Sequence, residues 1–310
     1  MRVLVTGCTG SDGHIAAKKL EAEGHEVFGL VRDQKVQSIP HGTLVRGDLT
    51  DSGSIARLIS EYQFHEIYNL GAWSHAGLSF QEPAYVLEVN GKGPLHIFEA
   101  VKRFSPNTRV YQASTSEMFG NGPMPANEET PFTPVNPYGA AKLYAHEMAH
   151  IYRQMGVWVS CGILFNHVSS RHYDQFLPGK VARAAAAIKR GEQQKLFLGH
   201  LHPRRDWGWA PEFVEGIFSI LRHTEPDDFV LATGTTCTVQ AMAEEIFRWF
   251  DLSFGEYIEL AAEELRPVEL LKLQGDATKA ERVLGWKAKI LWPDVARLLA
   301  EEQMALVGVA

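Results

Sequence analysis

The stretch that most limits what this chain can become lies at its start. Arg2 to Thr6 is an apolar run of strand length. Gly7-Cys8-Thr9-Gly10-Ser11-Asp12-Gly13 follows at once, and a helix-like stretch, Ile15 to Glu23, comes next. Glycines at i, i+3 and i+6 permit a tight turn and let backbone amides approach a pyrophosphate at a helix N-terminus. Between a first strand and a first helix, that triplet marks the opening βα unit of a dinucleotide-binding fold. Gly7, Thr9, Gly10, Ser11, Asp12 and Gly13 are therefore the candidate diphosphate contacts. The competing reading is a plain βα turn.

The rhythm set by that unit continues. Strand patterns fall at Glu26 to Val31, Thr43 to Arg46, Glu66 to Leu70, Arg109 to Ala113 and Val157 to Phe165. Helical patterns separate them, including one starting near Ser52 and a long one from Val86 to Phe104. Strands alternating with helices predict a parallel sheet. Past residue 166 the pattern changes: an alanine-rich helix from Lys180, a short strand Leu196 to Leu198, a helix Pro211 to Arg222, a strand Phe229 to Ala232 and a helix Val239 to Phe250. The fold class expected is α/β, a Rossmann-like doubly wound parallel sheet with a smaller α+β C-terminal substrate domain. Residues 1–166 plus about 204–236 are expected to form the dinucleotide-binding part, and about 167–203 plus 237–310 the substrate-binding part.

Composition narrows the partners. The chain has 310 residues, 45% apolar and 22% charged, with a formal net charge of −7, ordinary for a water-soluble globular protein. No basic run suggests nucleic acid, and no apolar run approaches the length of a membrane span. Three scattered cysteines, Cys8, Cys161 and Cys237, suit a reducing cytoplasm and suggest neither a disulfide frame nor a metal site. No signal peptide is expected ahead of the first strand, and the expected location is cytoplasmic.

The chemistry is expected around Tyr138 and Lys142. Four apart on a helix, a phenol and an ammonium share one face. The cation favours the phenolate and lowers the tyrosine's pKa from about 10, so that it can take a proton from an alcohol. A surface helix with Tyr and Lys at that spacing is the bland alternative. Ligands sit at the carboxyl ends of strands in a doubly wound sheet. There Ser114-Thr115-Ser116-Glu117 offers a hydroxyl, Thr115, to the reacting oxygen and a base, Glu117. At the second strand's end Arg32 favours the extra phosphate of NADP and Asp33 a free ribose, so NADP is expected with NAD the alternative. Asp48 is a candidate for the adenine amino group or for capping the next helix. Gly71-Ala72 lets backbone approach the cofactor; Ser74 and His75 are candidates for the substrate, and Trp73 for packing.

Together these residues resemble the extended short-chain dehydrogenases acting on nucleotide sugars, and most closely the GDP-mannose 4,6-dehydratases. "NLGAWSHAGLSF", "YQASTSEMFG", "NPYGAAKLYAHE", "GILFNH", "RRDWGWAPEFVE" and "LRP…GD…KA…LGW" stand in that family's order over nearly the whole chain. The resemblance implies a mechanism. Tyr138, helped by Lys142 and Thr115, removes the O4 proton of a hexose while the C4 hydride passes to the nicotinamide. Glu117 then takes the C5 proton and helps expel the C6 hydroxyl. The hydride returns to C6, and a 4-keto-6-deoxy sugar forms with no net use of cofactor. The resemblance also implies cofactor contacts at Leu49, Leu70, Ala72, Leu164, Asn166 and His167, beside Tyr138 and Lys142 themselves. It places Ser74, His75, Ser116, Glu117, Asn166, Lys180, Arg205, Arg266 and Glu269 around a nucleotide-sugar substrate, expected to be a GDP-linked hexose. A salt bridge to Asp206 or another neighbour is the structural alternative for Arg205.

The chain departs from the family's pattern at several points. Val168-Ser169-Ser170-Arg171-His172-Tyr173 stands where the family has Glu-Ser-Pro-Arg-Arg-Gly, and Pro178-Gly179-Lys180 where it has Thr-Arg-Lys. Trp73 replaces a glutamine, and Val135-Asn136-Pro137 replaces Arg-Ser-Pro. The loop after the second strand is shortened to Asp33 to Pro40, which favours a homodimer over a tetramer. Three rivals share these motifs: a 4-keto-6-deoxy sugar reductase, a nucleotide-sugar epimerase, and a catalytically silent nucleotide binder.

Overall fold

The computed structural model describes residues 1–169, 176–262, 265 and 267–307. Strands β1 (Arg2–Thr6), β2 (Glu26–Val31), β3 (Thr43–Arg46), β4 (Glu66–Asn69), β5 (Arg109–Thr115) and β6 (Val159–Leu164) enter one sheet in the first half of the chain. Short strands β7 (Asn166–Val168), β8 (Leu196–Leu198), β9 (Arg204–Arg205) and β10 (Trp207–Trp209) follow. Then come β11 (Asp228–Leu231), β12 (Cys237–Thr238), β13 (Ile258–Leu260) and β14 (Lys272–Leu273). The main sheet is seven-stranded, in the order β11-β6-β5-β4-β1-β2-β3. All its pairings are parallel.

Strand order reverses at β1, between β2 on one side and β4 on the other. In such a sheet the crevice outside the carboxyl ends of those strands is where a ligand binds. Helices α1 (Ser11–Ala22), α2 (Ser52–Tyr62), α3 (Pro83–Leu87), α4 (Gly93–Phe104) and α5 (Pro137–Gln154) follow in order. After them come α6 (Leu177–Lys189), α7 (Ala210–Arg222), α8 (Val239–Trp249), α9 (Phe254–Tyr257), α10 (Thr278–Leu284) and α11 (Trp292–Val307).

The side-chain alternation of β1 divides the core. Val3 and Val5 point to a layer built with Ala16, Ala17 and Leu20 of α1 and Phe213, Val214 and Ile217 of α7. Leu4 points to the other layer, with Ile55 and Ile59 of α2, Ile97 and Val101 of α4, and Ala149 and Tyr152 of α5. A strand buried on both faces reads as a continuous apolar run, which explains the sequence of β1. A separate core joins Val181, Ala182 and Ala185 of α6, Ile246 and Phe247 of α8, and Val295, Ala296 and Leu299 of α11. Ala280, Trp286 and Ala288 pack instead into the sheet's core, beside α7. Among the described residues no helix is long and apolar enough to cross a membrane.

Three local expectations are corrected. The helix expected over Val86 to Phe104 starts at Pro83 and is interrupted by a π-turn, Glu88–Lys92. Pro94 lacks the N–H an α-helix needs there, so the widened turn precedes it. Strand β5 runs two residues beyond Ala113, because Ser114 and Thr115 pair with Ile163 and Leu164 of β6. Asp48 does not cap α2. Asp51 does, accepting from Gly53 N and Ser54 N, while Asp48 accepts from the Thr50 N–H and hydroxyl at 2.9 Å each.

Candidate active site

The carboxyl ends of β1, β4, β5 and β6 open on a crevice of about 1020 Å3. Its floor is braced by a polar chain across three strands. Gly71 N donates to Thr6 Oγ1 (2.8 Å), the Thr6 hydroxyl to Asn69 Oδ1 (2.7 Å), and Asn69 Nδ2 to Gln112 Oε1 (2.7 Å). Gln112 Nε2 closes it on Ala113 O at 2.9 Å. Such a buried, satisfied network fixes the strand ends from which the functional residues project.

One end of the crevice is the glycine loop. Gly7 holds φ +67°, and Gly10 N donates to Gly7 O at 2.8 Å. A Cβ on Gly13 would lie 2.2 Å from Gly7 O, so only glycine lets α1 start this close to the turn. Gly10 caps α1 without a side chain, which leaves the helix's first N–H groups to whatever enters the loop. That cradle fits a dinucleotide's diphosphate.

The other end gathers the expected chemistry. Tyr138 is the second residue of α5, and Asn136 caps that helix by accepting from Gly139 N at 2.8 Å. The same amide's Nδ2 donates to Glu117 Oε2 at 2.7 Å, so one residue starts the helix and aims the carboxylate. Glu117 is buried, and its N–H donates to Thr115 Oγ1 at 3.3 Å. Thr115 lines the crevice with Tyr138, and its hydroxyl favours the ionised phenol.

Lys142, 3% exposed, donates from Nζ to Ala113 O at 3.0 Å and lies 6.0 Å from the centroid of the Tyr138 ring. The expected depression of the tyrosine is not found. Burial holds the phenol's ionisation above its usual range, and the Glu117 and Asp12 carboxylates push the same way against the Thr115 hydroxyl. Lys142 acts on the carbonyl of β5 rather than on the phenol directly.

Burial also brings Lys142 down from 10.5 to about 8. The folded chain thus releases this proton near pH 8 and the unfolded chain near 10.5, so stability rises with pH between them. Below pH 8 the full cost of the buried charge remains. Lys142→Met is expected to stabilise the protein near pH 7 by roughly 1–3 kcal/mol, since Gln112 still satisfies Ala113 O. Denaturant titrations from pH 7 to 11 check this. The variant should lose the rise seen in the parent, and an unchanged pH profile would contradict the assignment.

Of the expected cofactor contacts, Gly7, Thr9, Gly10, Ser11, Asp12, Gly13, Leu70, Ala72, Leu164, Asn166 and His167 line the crevice with Tyr138 and Lys142. Arg32, Asp48 and Leu49 do not. Arg32 hydrogen-bonds the Tyr85 hydroxyl, with its Nε 4.0 Å from Asp48 Oδ2. Leu49 is buried in the core against Gly93. Asp33, the residue expected to favour a free ribose, spends Oδ1 on Lys35 N at 2.8 Å. His167 bridges Asp12 Oδ2 (2.8 Å) and Phe165 O (2.7 Å) and stacks on Phe213. Burial opposes its charge but Asp12 prevails, so its pKa is raised.

Of the expected substrate contacts, Ser74, His75, Ser116, Glu117, Asn166, Lys180, Arg205 and Glu269 all line the crevice; Arg266 lies outside the described residues. So do Ser170, Arg171, His172 and Tyr173 of the departing segment. Arg205 does pair with a neighbour, though not with Asp206: its Nη2 meets Glu269 Oε1 at 2.7 Å, and Nη1 donates to Leu270 O at 2.8 Å. Asp206, fully buried, accepts instead from Thr233, Gly234 and Gly275, tying the strand of Arg205 to its neighbours. Trp73 packs edge-on against Tyr85, and Asn90 clasps its backbone from both sides. Asn136, noted in the sequence only as a departure from the family's pattern, and Arg183 were not expected among the site residues. The first carried a signal, an asparagine just before Pro-Tyr at a helix start. The second lies one turn after Lys180 on α6 and shares its exposure to the crevice.

The sequence matches the family described as GDP-mannose 4,6 dehydratase over residues 4–298. The chain belongs to the GDP-mannose 4,6-dehydratase family. GDP-mannose 4,6 dehydratase 2 of Arabidopsis thaliana is 39% identical over 323 residues, covering 98% of this chain and 87% of the relative. GDP-mannose 4,6-dehydratase of Sinorhizobium fredii is 39% identical over 337 residues, covering 97% and 96%. Among solved structures, dTDP-glucose 4,6-dehydratase from Bacillus anthracis in complex with NAD superposes with a TM-score of 0.83 at 20% identity, covering 99% of this chain and 97% of that one. RMD from Pseudomonas aeruginosa complexed with NADPH gives 0.82 at 22%, covering 98% of each. Those two likenesses show the fold alone.

Proposed function

We propose that the chain is an NADP-dependent nucleotide-sugar 4,6-dehydratase, converting GDP-mannose or a closely related nucleoside-diphosphate hexose to its 4-keto-6-deoxy sugar. Family membership supports the reaction class. The observation that carries it is Glu117, held by Asn136 beside the Tyr138–Thr115 pair. Dehydration needs two proton-transfer groups, one for O4 and one for C5, and a simple alcohol oxidation needs only the first.

The glycine loop, Leu70, Ala72 and Tyr138 would hold the dinucleotide. When bound it supplies a reversible hydride acceptor and, when oxidised, a positive charge beside the phenol. Tyr138 accepts the O4 proton, and Thr115 holds the same oxygen. Lys142, anchored on Ala113 O, fixes the face of α5 that presents the phenol. Glu117 removes the C5 proton once C4 is a ketone, then returns it to the departing C6 hydroxyl. Lys180, Arg183 and Arg205 bring cationic groups to the same crevice for a diphosphate.

Arg32 supports NADP, since its guanidinium is well exposed at the end of β2 while the Asp33 carboxylate is turned into its own loop. The three buried, unpaired cysteines support a cytoplasmic setting. The shortened loop Asp33 to Pro40, whose first turn Arg46 braces by donating to Asp33 O and Val36 O, supports a homodimer. The division into a dinucleotide-binding and a sugar-binding part belongs to the same proposal, with Ala280, Trp286 and Ala288 counted with the sheet.

The test is mass spectrometry of GDP-mannose incubated with the enzyme and a catalytic amount of NADP. Loss of one water without net NADPH is expected. An isomer of unchanged mass would make the protein an epimerase. Inertness, together with NADPH consumption on the 4-keto-6-deoxy sugar, would make it a reductase. Tight NADP binding with no turnover on any nucleotide sugar would make it a silent binder.

A further inference from the structure

Outside the crevice, α5 carries two histidines one turn apart, His146 and His150, and β11 opens beside them with Asp228. One nitrogen from each ring and a carboxylate oxygen all lie within 4.8 Å of one another. We propose that His146, His150 and Asp228 form a binding site for one divalent transition-metal ion of the zinc type. Two imidazoles and one carboxylate are the donors such ions take, leaving a position for water. Histidines at i and i+4 present both rings on one helix face, the spacing that metal-binding helices use.

The surroundings prepare each ligand. The Ser114 hydroxyl lies 3.0 Å from His146 Nδ1. With Nδ1–H donating to it, the Nε2 lone pair is left for a metal. His146 is 1% exposed, so its ring is held in place by the packing around it. Arg153 Nη2 donates to Asp228 Oδ1 at 2.6 Å and orients the carboxylate, whose Oδ2 lies 2.5 Å from His150 Nε2.

A metal ion takes the place of the proton shared between His150 Nε2 and Asp228 Oδ2, and that proton leaves to solvent. The guanidinium of Arg153 opposes a cation here, and Glu147, which faces His150, works in its favour. The His150 side chain is 36% exposed and provides the entry path. Occupancy would tie the helix carrying Tyr138 and Lys142 to β11, and through Ser114 to β5.

The experiment is a Co2+ titration of the full chain without a polyhistidine tag, followed by visible absorption, with thermal unfolding in Zn2+ alongside. The parent should bind one Co2+ with the intense d–d bands of a low-coordinate site, and Zn2+ should raise its Tm. His150→Gln, at the half-exposed position, should weaken Co2+ binding by about 100-fold or more, beyond the 10–100-fold that losing an outer partner of a ligand produces. It should also abolish the Zn2+ effect on Tm. His146→Gln provides the same reading should the first variant fold poorly. A parent with no stoichiometric Co2+ spectrum, or variants that bind as tightly as the parent, would overturn the site.

Discussion

Tyr138→Phe is expected to lower kcat by roughly 10²–10⁴-fold while leaving dinucleotide affinity nearly unchanged. The substitution removes only the phenol oxygen. The ring stays against Thr115 and above Lys142, and neither the glycine loop nor Asn136 loses a partner. Burial and two carboxylates hold this phenol well on the protonated side in the structure described here. The activity of the parent should therefore rise with pH until the phenol ionises in the presence of cofactor and substrate. The variant should lack that limb. Steady-state rates from pH 6 to 10, with fluorescence titration of NADP, separate the two quantities. A variant that turns over at the parent's rate would remove Tyr138 from the reaction.

Glu117→Gln should stop the reaction half-way, with a rate loss of the same order, about 10²–10⁴-fold. The side chain keeps its size, and the amide oxygen can still accept from Asn136 Nδ2, so the pocket's shape survives. What disappears is the base for C5. Oxidation at C4 uses Tyr138 and remains possible, so the absorbance of reduced nicotinamide should build up to one equivalent per site and persist. Stopped-flow absorbance at saturating sugar nucleotide checks this. Release of dehydrated sugar at the parent's rate would show that another group removes the C5 proton.

Much of this was legible in the sequence because it rests on short-range geometry. The glycine loop is defined by seven consecutive residues, and a Cβ on Gly13 would strike Gly7 O within the same turn. Tyr138 and Lys142 are fixed by the helix repeat. What escaped depends on partners far apart along the chain. Asn136 meets Glu117 only because β5 and α5 come together, and Arg205 finds Glu269 rather than the adjacent Asp206. The tuning of Tyr138 was expected with the opposite sign, because spacing reveals a nearby ammonium but neither its engagement with Ala113 O nor the burial that opposes a phenolate. The His146, His150 and Asp228 cluster has the same origin, since 78 residues separate the second histidine from its carboxylate.

The central claim is that one crevice oxidises C4 and reduces C6 of the same sugar. Nuclear magnetic resonance of the product formed from GDP-mannose deuterated at C4 tests it most directly. The account predicts deuterium at C6 of the 4-keto-6-deoxy sugar, with none released and none retained at C4. Deuterium still at C4, or lost to the cofactor pool, would contradict it.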